Sequence, residues 1–269
     1  CKTYLQKLGC SVEAKSEQLA ITLPSWRPDL SMGADLVEEI VRLHGYDNIP
    51  HAPLPKAHKV AQRPAQQTTV IKARKHLAAS GFLEARNWNF CSQDDATLFT
   101  EADKLVEIAN PISSELGVMR PSLWPHLLKT SAVNQHRGQD SFSLFEVGLT
   151  FDGLGAQGQH FCAAGLHIGE IDDMRYEGEL FSNKPRTADC FDMKATAYSL
   201  LETLSINTEQ LQITTDVPDW YHPGRSGALT FGGKKVLGYF GELHPKLAEH
   251  FDVTGRVAMF EIMLDALPA

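Results

Sequence analysis

Hydrophobic positions follow two different spacings in the N-terminal part of this chain. A short apolar run predicts a strand over 19–23, and Leu36, Ile40 and Leu43 share one face of a helix predicted over 34–43. Four prolines follow between positions 50 and 64, which excludes a regular helix or a central strand there. The pattern therefore separates a short N-terminal region from a longer region that follows a proline-rich linker.

The longer region contains more predicted strands than helices. The apolar spacing predicts helices over 69–80, 122–134, 191–204 and 245–250. Strand-like runs cover 83–90, 105–109, 143–151, 161–168, 227–231, 235–240 and 257–262. Because turns, rather than regular crossover helices, join many of these strands, we predict an α+β fold with a largely antiparallel sheet.

Composition narrows the class of protein. The chain has 269 residues, of which 43% are hydrophobic and 22% charged, and these values are typical of a globular protein. No run approaches the roughly 20 apolar residues of a membrane-spanning helix, and the first residues do not have the pattern that we expect of a signal peptide. The chain begins at Cys1, within what looks like an element, so we expect a fragment of a longer protein without a membrane partner.

Net charge and cysteine content exclude further classes of protein. The formal net charge of -8 argues against a protein that binds mainly through nucleic-acid phosphates. Five cysteines are widely spaced and form no C-x-x-C pair. This usage is typical of reduced thiols, so we expect a cytoplasmic protein.

The densest acidic group lies at the start of the first long helix. Asp35, Glu38 and Glu39 stand at helical neighbour spacing, and Asp29 lies just before the helix. Oxygen ligands of this kind suit Mg2+. Acids in a first helical turn also favour the helix dipole, and Glu38 can pair with Arg42. Spacing alone therefore favours a solvated acidic face over a metal site.

Two further sets of residues, a pair of His-Pro segments and a basic run, could bind ligands but are more simply explained as structural. His222 and Arg225 precede a second His-Pro pair at His244, and histidine-proline turns more often fix strand exits than bind ligands. A basic run without acids lies between Asn48 and Leu83, but it lacks interleaved aromatic residues. Its members are Lys56, Lys59, Arg63, Lys72, Arg74 and Lys75.

Several segments, read together, resemble the β subunit of bacterial phenylalanine–tRNA ligase. Pro-Ser-Trp-Arg-Pro-Asp-Leu at 24–30, Asp-Leu-Val-Glu-Glu-Ile at 35–40 and Gly-Tyr-Asp-Asn-Ile-Pro at 45–50 resemble the end of that family's B5 domain. The other segments occur in the family's order: Asn-Pro-Ile-Ser at 110–113, Met-Arg-Pro-Ser-Leu at 119–123, Leu-Phe-Glu-Val-Gly at 144–148, Asp-Cys-Phe-Asp-Met-Lys at 189–194, His-Pro-Gly-Arg-Ser at 222–226 and Gly-Glu-Leu-His-Pro at 241–245.

The resemblance implies a domain organisation. It implies the C-terminal part of B5 over 1–50, a proline-rich linker over 51–66, and a B6–B7 module over 67–269. The module is expected to have a class II aminoacyl-tRNA synthetase-like antiparallel sheet with flanking helices. The partner would be the α subunit in an (αβ)2 heterotetramer, which joins phenylalanine to tRNA(Phe) with ATP.

The resemblance also implies a metal site. Asp29, Asp35, Glu38 and Glu39 match the family's Mg2+ ligands, in a site shared with the α subunit. This match reverses the preference drawn from spacing alone. A cation there would neutralise carboxylates that otherwise oppose association of the subunits.

No catalytic or nucleotide-binding residue is predicted in this chain. Class II synthetases stabilise phosphate charge with arginines from two motifs, and the comparable strand over 143–147 lacks one. We therefore expect the isolated chain to be inactive. Two alternatives stay open: a free-standing synthetase-like ligase paralogue, which would bind ATP, and a nucleic-acid-binding module, which would bind tRNA without a partner.

Overall fold

The computed structural model describes residues 1–16, 18–54, 61–171 and 186–268. The chain divides into two compact units, Cys1–Ala61 and Gln62–Ala269, and each is described by itself. The predicted linker over 51–66 lies partly outside the described residues, and its boundaries stay a prediction. Lys56 and Lys59 of the basic run also lie outside them.

The described residues of the first unit include two α-helices and a pair of antiparallel strands. Its elements are α1 (Lys2–Lys7), β1 (Ser11–Lys15), β2 (Gln18–Thr22) and α2 (Gly33–His44). The buried side chains of Leu5, Cys10 and Val12 form a small core, against which Leu36 and Ile40 of α2 pack. The helix predicted over 34–43 and the strand predicted over 19–23 are confirmed as α2 and β2.

The second unit contains five helices and eleven short or long strands among the described residues. Its helices are α3 (Ala65–Ala79), α4 (Gln93–Ala96), α5 (Trp124–His136), α6 (Cys190–Thr203) and α7 (Pro245–His250). Its strands are β3 (Leu83–Glu84), β4 (Phe90–Cys91), β5 (Val118–Met119), β6 (Phe142–Phe151), β7 (Gln159–Ile168), β8 (Glu170–Ile171), β9 (Arg186–Thr187), β10 (Leu211–Thr214), β11 (Tyr221–Phe231), β12 (Lys235–Leu243) and β13 (Val257–Met263).

Seven of these strands form one sheet in the order β10-β11-β12-β13-β7-β6-β3. Each neighbouring pair is antiparallel except the short β3–β6 pair, which is parallel. The predicted α+β class with a largely antiparallel sheet is confirmed.

The sheet has a hydrophobic core on each face. Leu77 of α3 and Leu200 of α6 pack with Phe145 and Phe260 on one face. Leu127 of α5 packs with residues of the opposite face, including Leu144, Leu166 and Met259. Because successive strand residues point to opposite faces, the central strands are apolar at nearly every position.

Gly165 of β7 allows two large rings to lie beside it across the sheet. It stands opposite Phe145 on β6 and Phe260 on β13. A Cβ atom at Gly165 would lie 2.6 Å from Cε1 of Phe260. Glycine is therefore required here by the close approach of the phenylalanine ring.

Two strand predictions are wrong. The run over 83–90 pairs only at its ends, as β3 and β4, and these belong to different sheets. The run over 105–109 forms a single bridge between Glu107 and Val118 instead of a strand.

Within the described ranges, none of the helices is both long and apolar enough to cross a bilayer.

Candidate functional site

The turn before α2 is tied to the helix by one arginine. The Arg27 side chain forms three hydrogen bonds to Asp29, from Nε to Oδ1 at 2.9 Å and to Oδ2 at 3.2 Å, and from Nη2 to Oδ2 at 2.7 Å. The same Nη2 donates to Oε1 of Glu39 at 2.8 Å, and Arg42 pairs with the other Glu39 oxygen at 2.6 Å. Hydrogen bonds from Arg27 lower the pKa of both Asp29 and Glu39, with Arg42 adding to the effect at Glu39. Both carboxylates are therefore ionised and neutralised by guanidinium groups at neutral pH.

Asp35 has a separate role at the start of α2. Its Oδ2 atom accepts hydrogen bonds from the backbone N–H groups of Ser31 at 2.7 Å and Met32 at 2.8 Å. These two bonds hold the pKa of Asp35 below its ordinary value. The carboxylate thus satisfies backbone donors at the helix start, where helices favour negative charge.

The four predicted metal ligands suit a hard cation in chemistry but not in their present geometry. Asp29 and Glu39 already hold Arg27, and Asp35 caps the helix. Within the described part of the chain, the carboxylate of Glu38 has no hydrogen-bond or ion-pair partner. No three His, Cys, Asp or Glu side chains of those residues are grouped closely enough to hold a metal ion. The metal assignment stays a prediction. Sequence reasoning missed Arg27, although its position two residues before Asp29 was visible.

In the second unit, a buried ion pair joins Arg120 to β6. Its Nη1 atom lies 2.7 Å from Oε1 of Glu146, and the two side chains are 1% and 4% exposed. Arg120 also donates from Nε to the Leu149 carbonyl at 2.9 Å, and Asn87 donates to the second Glu146 oxygen at 2.8 Å. The Nε and Nη1 atoms of Arg120 are thus held by groups inside the protein.

The two His-Pro segments lie side by side on β11 and β12. Arg225 donates to Oε2 of the buried Glu242 at 2.8 Å, and Arg256 approaches the other oxygen at 3.4 Å. The His222 ring accepts from the Gly224 N–H at 3.1 Å, and the His244 ring accepts from the Lys246 N–H at the start of α7. These contacts agree with the structural explanation drawn from the sequence.

Carboxylates pair with most arginines of the second unit. Among its described residues the pairs are Arg74 and Arg86 with Glu84, Arg120 with Glu146, Arg186 with Asp192, and Arg225 and Arg256 with Glu242. Phosphate groups bind arginine through the same paired N–H donors. A bound phosphate would therefore compete with a carboxylate at each of these guanidinium groups.

Family models match both units. Residues 49–264 match the "Phenylalanyl tRNA synthetase beta chain CLM domain". The chain belongs to the phenylalanyl-tRNA synthetase β-chain family. Residues 1–46 match the "tRNA synthetase B5 domain", so the acidic helix α2 belongs to the B5 part of this β-chain.

Curated relatives of this chain are phenylalanine–tRNA ligase β subunits. The phenylalanine–tRNA ligase β subunit of Paramagnetospirillum magneticum is 41% identical over 270 residues, a match that covers 100% of this chain and 33% of the relative. That of Mesorhizobium japonicum is 40% identical and covers 98% of this chain and 33% of the relative. The chain therefore spans about a third of the length of these relatives.

A solved structure supports the fold of this chain. A pyrrolysyl tRNA synthetase from Desulfitobacterium hafniense superposes with a TM-score of 0.57 at 16% identity, over 76% of this chain and 66% of that chain. At this identity the likeness concerns the fold alone. The predicted class II synthetase-like architecture of this chain is confirmed.

Proposed function

We propose that this chain supports ATP-dependent attachment of phenylalanine to tRNA(Phe) as part of a phenylalanine–tRNA ligase β subunit. In this proposal it packs against the catalytic α subunit in an (αβ)2 heterotetramer. The observation that carries the proposal is the match of both units, in order, to the B5 and CLM parts of one β-chain family. The five free cysteines support a reducing cytoplasmic location.

Exposed apolar residues within the family-like segments support a protein partner. Ile112 in the Asn-Pro-Ile-Ser segment is 78% exposed, and Phe191 in the Asp-Cys-Phe-Asp segment is 71% exposed. Trp26, in the segment that precedes α2, is 69% exposed. Large exposed apolar side chains are favourable when a partner covers them.

The arginine pairing supports a scaffold role over adenylation by this chain itself. An adenylating site needs guanidinium groups that face the triphosphate before the reaction begins. Arg120, which follows the short strand β5, instead donates to Glu146 and to a backbone carbonyl. We therefore expect the chain alone to form no aminoacyl-adenylate, with the chemistry located in the α subunit.

Asp29 and three acids of α2 are proposed to hold Mg2+ together with the partner subunit. Asp29, Asp35, Glu38 and Glu39 supply carboxylate oxygens, which this ion prefers. Because Arg27 holds two of them, the ion has to displace that guanidinium. Mg2+ would supply positive charge at the contact, and the four carboxylates would hold it in place.

Co-purification with the α subunit tests the main proposal. The chain is co-expressed with a tagged phenylalanine–tRNA ligase α subunit, and the amount retained on the tag is measured. We expect retention, and we expect Phe191→Asp to reduce it because an ionised side chain would be buried in the contact. Leu154→Asp is the matched control, since Leu154 is 86% exposed but lies outside the family-like segments.

Absence of retention for the parent chain would contradict the proposed partner. Calorimetry with ATP separates the ligase-paralogue alternative, which requires tight nucleotide binding by the chain alone. Binding of tRNA without the α subunit, with an affinity that falls steeply with salt, would instead favour the nucleic-acid-binding alternative.

A further inference from the structure

A cavity of about 300 Å³ lies beside the buried ion pair of Arg120 in the second unit. Three guanidinium groups line it, and they come from α3, from the segment between β3 and β4, and from the residue after β5: Arg74, Arg86 and Arg120. Asn87 and Asn89 add side-chain amides to the same walls. Separate segments of the chain thus bring five side chains that carry hydrogen-bond donors to one cavity.

The most deeply buried of the three guanidinium groups has a free donor. The side chain of Arg120 is 1% exposed, and its Nε and Nη1 atoms donate to the Leu149 carbonyl and to Glu146. Its Nη2 atom has no hydrogen-bond partner among the described residues, and a Cβ atom at Gly148, another lining residue, would collide with it. Buried polar groups are normally paired with protein, water or a ligand. The free Nη2 atom therefore indicates that an acceptor completes this site.

The two outer arginines also keep donors that no carboxylate uses. Glu84 accepts from Nε and Nη2 of Arg74 at 2.7 and 3.0 Å, which leaves Nη1 without a partner among the described residues. Arg86 is 68% exposed and only approaches Glu84, at 3.5 Å. The side-chain amide of Asn89 likewise forms no hydrogen bond within the part of the chain that the structure describes. The carboxylates therefore compete for the charge of these arginines but leave N–H donors for a ligand.

The charge around the cavity is positive. Three guanidinium groups are offset by two carboxylates, Glu84 and Glu146, and of these only Glu146 lines the cavity. Both Glu146 oxygens already accept hydrogen bonds, one from Arg120 and the other from Asn87 at 2.8 Å. The cavity thus offers free donors and an uncompensated positive charge. The ligand that complements it is an acceptor with negative charge.

The arrangement suits a phosphate group better than a carboxylate. A carboxylate has two coplanar oxygens, which a single guanidinium can occupy, whereas a phosphate group has three strong acceptor oxygens. Donors from separate segments can therefore share one phosphate. The partly buried side chains of Val70 and Phe161 form an apolar part of the wall. Because a cavity of about 150 Å³ holds benzene, this one has room for a phosphate and a small organic group.

We propose that this cavity binds the phosphate group of a small phosphate ester. The phosphate accepts hydrogen bonds from Arg86, Asn89 and the free Nη2 atom of Arg120, and the organic group packs against Val70 and Phe161. Because the paired carboxylates reduce the net charge, we expect a Kd of roughly millimolar magnitude, unlike the tight nucleotide binding that an adenylating paralogue requires. The site goes beyond the proposed scaffold role and does not depend on the α subunit.

The test compares two ligands that share a ring but differ in their anion. Phenyl phosphate and benzoate are titrated into the full chain by calorimetry in a phosphate-free buffer, with ligand-observed NMR for weak binding. We expect phenyl phosphate to bind about tenfold or more tightly, because it accepts at least one more hydrogen bond from a charged group. Equal affinities, or no binding of phenyl phosphate at tens of millimolar, would overturn the proposal.

Two variants locate the site. Arg86→Gln removes an exposed donor and is expected to weaken phenyl phosphate about fivefold or more. Arg120→Lys keeps a cation beside Glu146 but lacks the second Nη atom, and it should bring the affinity for phenyl phosphate close to that for benzoate. Arg137→Gln is the matched control, because it removes the same charge from an exposed arginine outside the cavity. An unchanged affinity in Arg86→Gln would overturn the site, even if Arg120→Lys did not fold.

A nucleic-acid backbone is the competing source of phosphate. A short single-stranded RNA is titrated in the same way, and we expect it to bind no more tightly than phenyl phosphate, because its chain does not fit into a cavity of this size. An RNA that bound more tightly than phenyl phosphate, and lost that binding in Arg86→Gln, would overturn the assignment to a small ester.

Discussion

Replacement of Arg120 by methionine tests whether this arginine is a structural cation. The variant keeps most of the side-chain volume but removes the 2.7 Å ion pair with Glu146 and the hydrogen bond to the Leu149 carbonyl. Glu146 then stays buried with Asn87 as its remaining side-chain donor among the described residues. The perturbation therefore leaves one nearly unpaired carboxylate inside the sheet.

The expected cost is large because both groups are almost fully buried. Removal of one partner from a buried ion pair typically costs about 3–5 kcal/mol. For a unit of about 200 residues, where 1 kcal/mol lowers Tm by roughly 2–4 °C, we expect Tm to fall by roughly 6–20 °C. The exposed pair between Arg86 and Glu84, at 3.5 Å, provides the comparison.

Thermal and urea unfolding of the full chain measure this effect. Arg86→Met is the control and should change the free energy of unfolding by less than about 1 kcal/mol. The double variant Arg120→Met/Glu146→Leu removes both charges and should recover much of the loss. If Arg120→Met lowered stability by less than about 1 kcal/mol, the argument for a structural cation would fail.

Three further predictions concern α2 and the sheet. Arg27→Gln should tighten Mg2+ binding severalfold in calorimetry, because it releases Asp29 and one oxygen of Glu39; an effect no larger than that of Arg42→Gln, which releases only the other oxygen of Glu39, would count against competition. The pKa of Asp35 is lowered in the folded protein, so ionised Asp35 stabilises the fold above its unfolded pKa of about 3.9, and this stabilisation is lost as the pH falls through the lower folded pKa. The difference in helical circular dichroism between the parent chain and Asp35→Asn should therefore shrink in acid. A difference that stayed constant with pH would refute the capping role of Asp35. Gly238→Ala should cost about 1–3 kcal/mol, since its Cβ would meet the Glu261 carbonyl, whereas unchanged urea unfolding would show that the strands can separate.

Some elements were predictable because their physical cause is local. The runs over 143–151, 161–168 and 257–262 are long, apolar and rich in strand-forming residues, and they became β6, β7 and β13 with small changes at their ends. The runs over 83–90 and 105–109 have a similar apolar pattern, but the first pairs only at its two ends and the second forms a single bridge. Strand formation there depends on partners that no local pattern contains.

The candidate site residues were likewise only partly predictable from the sequence. The sequence determined the fold class and the family-like segments, and it brought Asp29, Asp35, Glu38 and Glu39 into one short region. Only the tertiary structure decided that Arg27 pairs with two of these acids and that Arg120 pairs with Glu146. It also placed Glu261 beside a cavity, where its carboxylate forms no ion pair with the described residues. Spacing along a helix or strand is a property of the local backbone, whereas the partner of a charge depends on which distant segments the sheet order brings together.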